Sequence, residues 1–112
     1  MSNYNLSEVE EMAAGDEDFL KVVVQTFLEE IPPDVEAMND AIGNNNPGLA
    51  YQYAHKMKPN LQLFGLELMD QIRVIEAWAK EGAQQEEVPD AAAKITKKVQ
   101  VASIALKRDF EL

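Results

Sequence analysis

Between Pro47 and Phe64 the apolar residues Ala50, Tyr53, Ala54, Met57, Leu61 and Phe64 fall three and four positions apart. At about 100° per residue, that spacing gathers them on one side of a helix for four turns. A half-buried strand would need strict alternation, which this stretch lacks. The other side carries Gly48, Tyr51, Gln52, His55, Lys58, Pro59 and Gln62. His55 is the only histidine of the chain, and it falls almost diametrically across from the apolar stripe. An imidazole packed in the core would have to lie with Tyr53 and Met57. This one is expected at the centre of an exposed face.

The same periodicity recurs on both sides of this helix. Ser7 and Glu10 stand three apart, the reciprocal arrangement that caps a helix start, and a short helix through about Ala14 is expected to end at Gly15. Asp16 caps the next helix, over about 17–30, in which Leu20, Val23, Val24, Phe27 and Ile31 recur at helical spacing. Pro32-Pro33 is expected to break or sharply bend it. Val35, Met38, Ala41 and Ile42 continue an apolar stripe beyond the prolines. Gly43-Asn44-Asn45-Asn46-Pro47 reads as a loop, with Asn46 as cap and Pro47 at the first helical position.

After Gly65 a helix over about 66–81 turns Leu68, Met69, Ile72, Ile75 and Ala79 inward and closes at Gly82. Ala83 to Val88 is a polar linker, and Pro89 opens a last helix over about 90–109 with Ile95, Val99, Ala102 and Leu106 on one face. Helices joined by short links give an all-α fold, an antiparallel four-helix bundle with one or two short additional N-terminal helices. The first short helix is expected to cover one end.

With 112 residues, 46% of them hydrophobic, the chain supports a single core and a single domain over 1–112. The absence of cysteine removes disulfides, thiol catalysis and cysteine-type zinc sites together. No basic-then-apolar leader opens the chain and no apolar run approaches ~18 residues. A soluble, cytoplasmic protein that acts as a monomer is therefore expected. The formal charge of −10 disfavours nucleic acid and anionic membranes as partners, since both are bound through clustered Lys and Arg. Against that background Lys56 and Lys58 stand out, because no acidic residue lies between Asp40 and Glu67.

Most chemistries fail on these residues. Ser2, Ser7 and Ser103 are distant from His55 in sequence and lack a glycine-elbow context. A bundle carboxylate site needs Glu three residues before the histidine, and that position is Gln52. No glycine-rich phosphate loop or nucleotide-binding signature is present, which argues against a self-contained kinase. An exposed imidazole remains, with a lysine one turn later. Imidazole is a nucleophile near neutral pH. A phosphoryl group on it would bring close to two negative charges, which the Lys58 ammonium can meet at i+3. Tyr51, Gln52, Lys56, Pro59 and Gln62 surround it with a surface on which a second protein can seat.

Ala54-His55-Lys56-Met57-Lys58, followed by Phe64-Gly65 ten residues past the histidine, resembles the histidine-containing phosphotransfer (HPt) domain of multistep two-component phosphorelays. Phe19, Phe27-Leu28 and Ile31-Pro32 resemble the family's lead-in, so the likeness spans roughly 17–108. The resemblance implies that Ala54 packs, His55 carries the phosphoryl group, Lys58 supports the phosphate and Gly65 ends the helix. It implies receiver domains of response regulators or hybrid sensor kinases as partners. It also implies no cofactor of the chain's own, the acidic site and its Mg²⁺ belonging to the receiver. One position departs: the family usually has glycine four residues after the histidine, and this chain has Pro59. Proline cannot donate to the His55 carbonyl and crowds it, so a bend just past His55 is expected. The competing reading is a non-catalytic helical adaptor that docks a partner domain on the Tyr51–Pro59 face.

Overall fold

The computed structural model describes residues 3–112. Ser2, one of the excluded nucleophiles, lies outside them. The chain folds into α1 (Ser7–Ala13), α2 (Glu17–Gly43), α3 (Pro47–Leu63), α4 (Met69–Glu81), a single 3₁₀ turn (Gln85–Glu87) and α5 (Val88–Asp109). Among the described residues there is no strand, and no helix is long and apolar enough to cross a membrane.

Cross-helix pairs fix the directions. Phe27 meets Phe64 while Asp34, further along α2, meets Lys56, nearer the start of α3. The two helices therefore run antiparallel, as the three-residue Asn44–Asn46 link requires. Tyr51 of α3 reaches Glu76 of α4, and Asn39 of α2 reaches Thr96 of α5. α2 to α5 thus form an up-down-up-down bundle, and α1 packs on α2. Val24, Phe27, Ile31, Met38, Met57, Leu61, Phe64, Ile75, Ile95 and Leu106 fill the centre and are almost wholly buried. The Phe27 and Phe64 rings lie 4.3 Å apart at 33°. Both rings are almost wholly buried, so the pair adds a large apolar area to the core where α2 meets the end of α3.

Several local expectations are corrected. Ser7 does not cap α1: it is the first helical residue, and its N–H donates to Asn5 Oδ1 at 2.9 Å. Asn5 is already an oxygen-bearing residue at the turn, so the reciprocal Ser–Glu arrangement is not needed. Pro32-Pro33 does not break α2, which runs unbroken for 27 residues. Val24, Phe27, Ile31, Val35 and Met38 form one continuous stripe across the prolines, and burying all of it in one register outweighs about 3 kcal/mol per proline. Pro33 itself faces solvent, where water can take up the carbonyls that lose their partners.

α4 starts at Met69 rather than Leu66, because Leu66 is used to close α3. The Leu66 N–H bonds the Leu61 carbonyl at 3.0 Å and the Gly65 N–H bonds the Gln62 carbonyl at 3.0 Å. That is the double bond of a Schellman turn, with Gly65 at φ +67° in the left-handed region it requires. Leu66 and Leu68 then bury as loop residues. Trp78 is buried and Ala79 only half-buried, so the inward face of α4 is rotated slightly from the expected one. The linker after Gly82 is partly helical: the 3₁₀ turn leads directly into α5, and Val88 is buried.

Candidate functional site

Asn46 and Pro47 start α3 where the sequence places them, with the Asn46 side chain accepting from the Leu49 N–H at 3.2 Å. From that start the register of α3 is set by four buried residues, Ala50, Ala54, Met57 and Leu61. His55 then has to face outward, and it is exposed. Gln52, Lys56, Pro59 and Gln62 are exposed as well, while Tyr51 and Lys58 are half-buried on the flank that turns toward α4. Pro59 does not end the helix, which continues to Leu63.

The neighbouring helices add groups that the linear sequence keeps far from His55. Lys56 leans to the α2 side, where its ammonium bonds Asp34 Oδ1 at 3.1 Å. Asp34 is the one buried charged residue among the described residues, 6% exposed, so the lysine neutralises a carboxylate with little access to water. On the α4 side the Tyr51 hydroxyl donates to Glu76 Oε2 at 3.0 Å. The Tyr51 ring lies 5.6 Å from the His55 ring, the planes inclined at 57°. Lys80 Nζ lies 5.2 Å from the centre of the same tyrosine ring.

The stretch without acids in sequence is therefore flanked in space by two carboxylates, both committed to partners. Among the described residues neither Lys58 nor Lys80 forms a salt bridge. Lys58 stands three residues after His55 on α3, and Lys80 reaches the Tyr51 ring from α4.

Sequence reasoning missed Asp34, Glu76 and Lys80. Asp34 carried a signal: it stands three after Ile31 and four before Met38, on the buried stripe of α2. Glu76 and Lys80 carried none, because their approach to Tyr51 depends on the register of α4 against α3.

Two grooves lie elsewhere. One runs between α2 and α5 past Pro32, Val35, Asn39, Val99 and Ile104, and another sits beside the N-terminal segment at Tyr4, Glu10, Gly65 and Phe110. Neither is lined by His55, Lys58 or Tyr51. The histidine stands on an exposed helix face. No protein-family model, curated protein or solved structure matches the chain.

Proposed function

We propose that this chain is a histidine phosphotransfer protein that relays a phosphoryl group between receiver-domain aspartates through His55, in the manner of the HPt domains it resembles. The observation that carries the reading is a lone exposed histidine at the middle of a bundle helix, with Lys58, free of any salt bridge among the described residues, one turn later. A neutral ring nitrogen attacks the phosphorus of a phosphoaspartate. The N–P bond forms as the acyl O–P bond breaks, and the aspartate leaves as a carboxylate with the electron pair. The proton on the other ring nitrogen passes to solvent as the neutral phosphoimidazole forms. Onward transfer reverses these events at a second aspartate.

The chain's own share is positioning and charge, which is most of what phosphoryl transfer asks of a protein. α3 holds the imidazole clear of the core, and Lys58 offsets the charge that arrives. On this reading the metal ion sits in the receiver, and the chain needs no nucleotide site because its phosphoryl donor is already activated.

The test is incubation with phosphorylated receivers, followed by measurement of acid-labile, base-stable phosphate on the chain. His55→Gln should abolish uptake with little change in melting temperature, since exposed substitutions usually stay within about ±0.5 kcal/mol. Lys58→Ala should slow transfer roughly ten- to a hundredfold, the worth of a charge-assisted contact of about 1.5–3 kcal/mol. Uptake by His55→Gln would remove His55 as the acceptor. Equal losses in receiver binding and rate in Lys58→Ala would make Lys58 a docking residue.

A further inference from the structure

α4 supplies neither the nucleophile nor Lys58, yet it touches the histidine's neighbourhood through one residue. Tyr51 precedes His55 by one helical turn and lies on the α4-facing flank of α3. A tyrosine on an exposed helix face is ordinarily free to rotate. This one is fixed at both ends: its ring packs against the hydrophobic core and its hydroxyl donates to Glu76 Oε2 at 3.0 Å. The ring's tilted approach to the imidazole, 5.6 Å between centres, falls in the range of edge-to-face aromatic contacts. A fixed ring one turn away limits the orientations the imidazole can take on that side.

Lys80 is held by the same ring. Glu76 and Lys80 stand four apart on α4, in the order that usually favours a bridge between them. Instead Glu76 takes the tyrosine hydroxyl, and the Lys80 ammonium lies 5.2 Å from the ring centre. A cation over an aromatic face at an exposed position is weakly held. A phosphoryl group with close to two negative charges is a stronger attractor, and the flexible four-carbon stem of lysine lets the ammonium move toward it. Lys56 has no such freedom, because its ammonium is engaged by the buried Asp34 carboxylate.

We infer that α4 completes the acceptor site: Tyr51 is a positioning residue for the His55 imidazole, and Lys80, resting on the Tyr51 ring, is the second cation that joins Lys58 around the phosphoryl group. This rests on the relay reading. It adds a division of labour in which Lys58 approaches along α3 and Lys80 from α4, with Tyr51 and Glu76 as the support between them. Lys80 acts on the phosphorylated form above all, so its removal should change how far the chain is charged more than how tightly it docks.

The experiment measures the equilibrium of phosphoryl transfer between one receiver and the chain, with the affinity for the unphosphorylated receiver measured in parallel. Lys80→Gln should shift the equilibrium roughly two- to fivefold toward the receiver, the scale of a solvent-exposed charge pair, with unchanged docking. Lys80→Arg should restore it. Tyr51→Leu should lower the transfer rate at saturating receiver with the KM unchanged. A Lys80→Gln chain that charges like wild type, or loses docking affinity in the same proportion, overturns the inference while the relay reading stands. A Tyr51→Leu chain with raised KM and unchanged rate makes Tyr51 a docking residue and overturns its positioning role. A wild-type chain that takes no phosphoryl group overturns the relay reading and this inference with it.

Discussion

At the scale of single residues, Asp34 and Lys56 show how unequal the two halves of an ion pair are. The Asp34 side chain is 9% exposed and the Lys56 side chain 61%, with the ammonium 3.1 Å from the carboxylate. Removing the lysine strands a nearly buried carboxylate, whereas removing the aspartate frees a lysine that already reaches water. Lys56→Met should therefore cost about 1–3 kcal/mol, and Asp34→Leu should be close to neutral or stabilising. Denaturant titration of both variants checks this, and equal losses would show that the pair acts symmetrically. The outward position of His55 and the i+3 position of Lys58 were legible in sequence, because both follow from the phase of one helix. The companions Asp34, Glu76 and Lys80 were not, because they arrive from other helices in a register that no local spacing specifies.

At the scale of elements, the helix ends divide into those written in side chains and those decided by packing. Asp16, Asn46, Gly65 and Gly82 mark ends where the sequence indicates them. The unbroken α2 and the late start of α4 were illegible, since one depends on a stripe buried across both prolines and the other on Leu66 being spent on closing α3. The two glycines also separate in their surroundings. Both have left-handed backbones, φ +67° at Gly65 and +66° at Gly82, but a Cβ at Gly65 would lie 2.6 Å from Asn5 Cβ while nothing lies within 4 Å at Gly82. The Asn5 backbone is held by its own bond to the Phe64 carbonyl at 2.8 Å and cannot easily retreat. Gly82→Ala should cost about 1 kcal/mol for the backbone alone. Gly65→Ala should cost more, about 2–4 kcal/mol, because a steric clash adds to the same strain. Thermal melts of the two variants decide it, and equal losses would mean that Asn5 yields freely.

At the scale of the whole molecule, the two ends of the described chain are tied by Tyr4, whose hydroxyl donates to the Asp109 carboxylate. Burial, and then that hydrogen bond, push the Tyr4 phenol up from 10.0 to about 12. The Tyr4 bond, followed by that of Arg108, holds the Asp109 carboxyl below its usual value. A raised phenol favours the protonated form in the fold, so its contribution to stability is complete below pH 10 and is lost as pH rises through about 12. Alkaline titration of tyrosinate absorbance should show one of the three tyrosines ionising near pH 12, and that step should vanish in Tyr4→Phe. A wild-type titration without a step near pH 12 would contradict the tie. The bundle's larger task, if the chain is a relay, is to hold one imidazole rigidly in the open for two successive partners. The measurement that tests this most directly is a reconstituted relay: a phosphorylated donor receiver, this chain in catalytic amount, and an acceptor receiver, with the label followed in all three. Label should appear on the chain before the acceptor, and the flow should stop in His55→Gln. Label that reaches the acceptor equally fast without the chain, or through His55→Gln, would contradict a relay through His55.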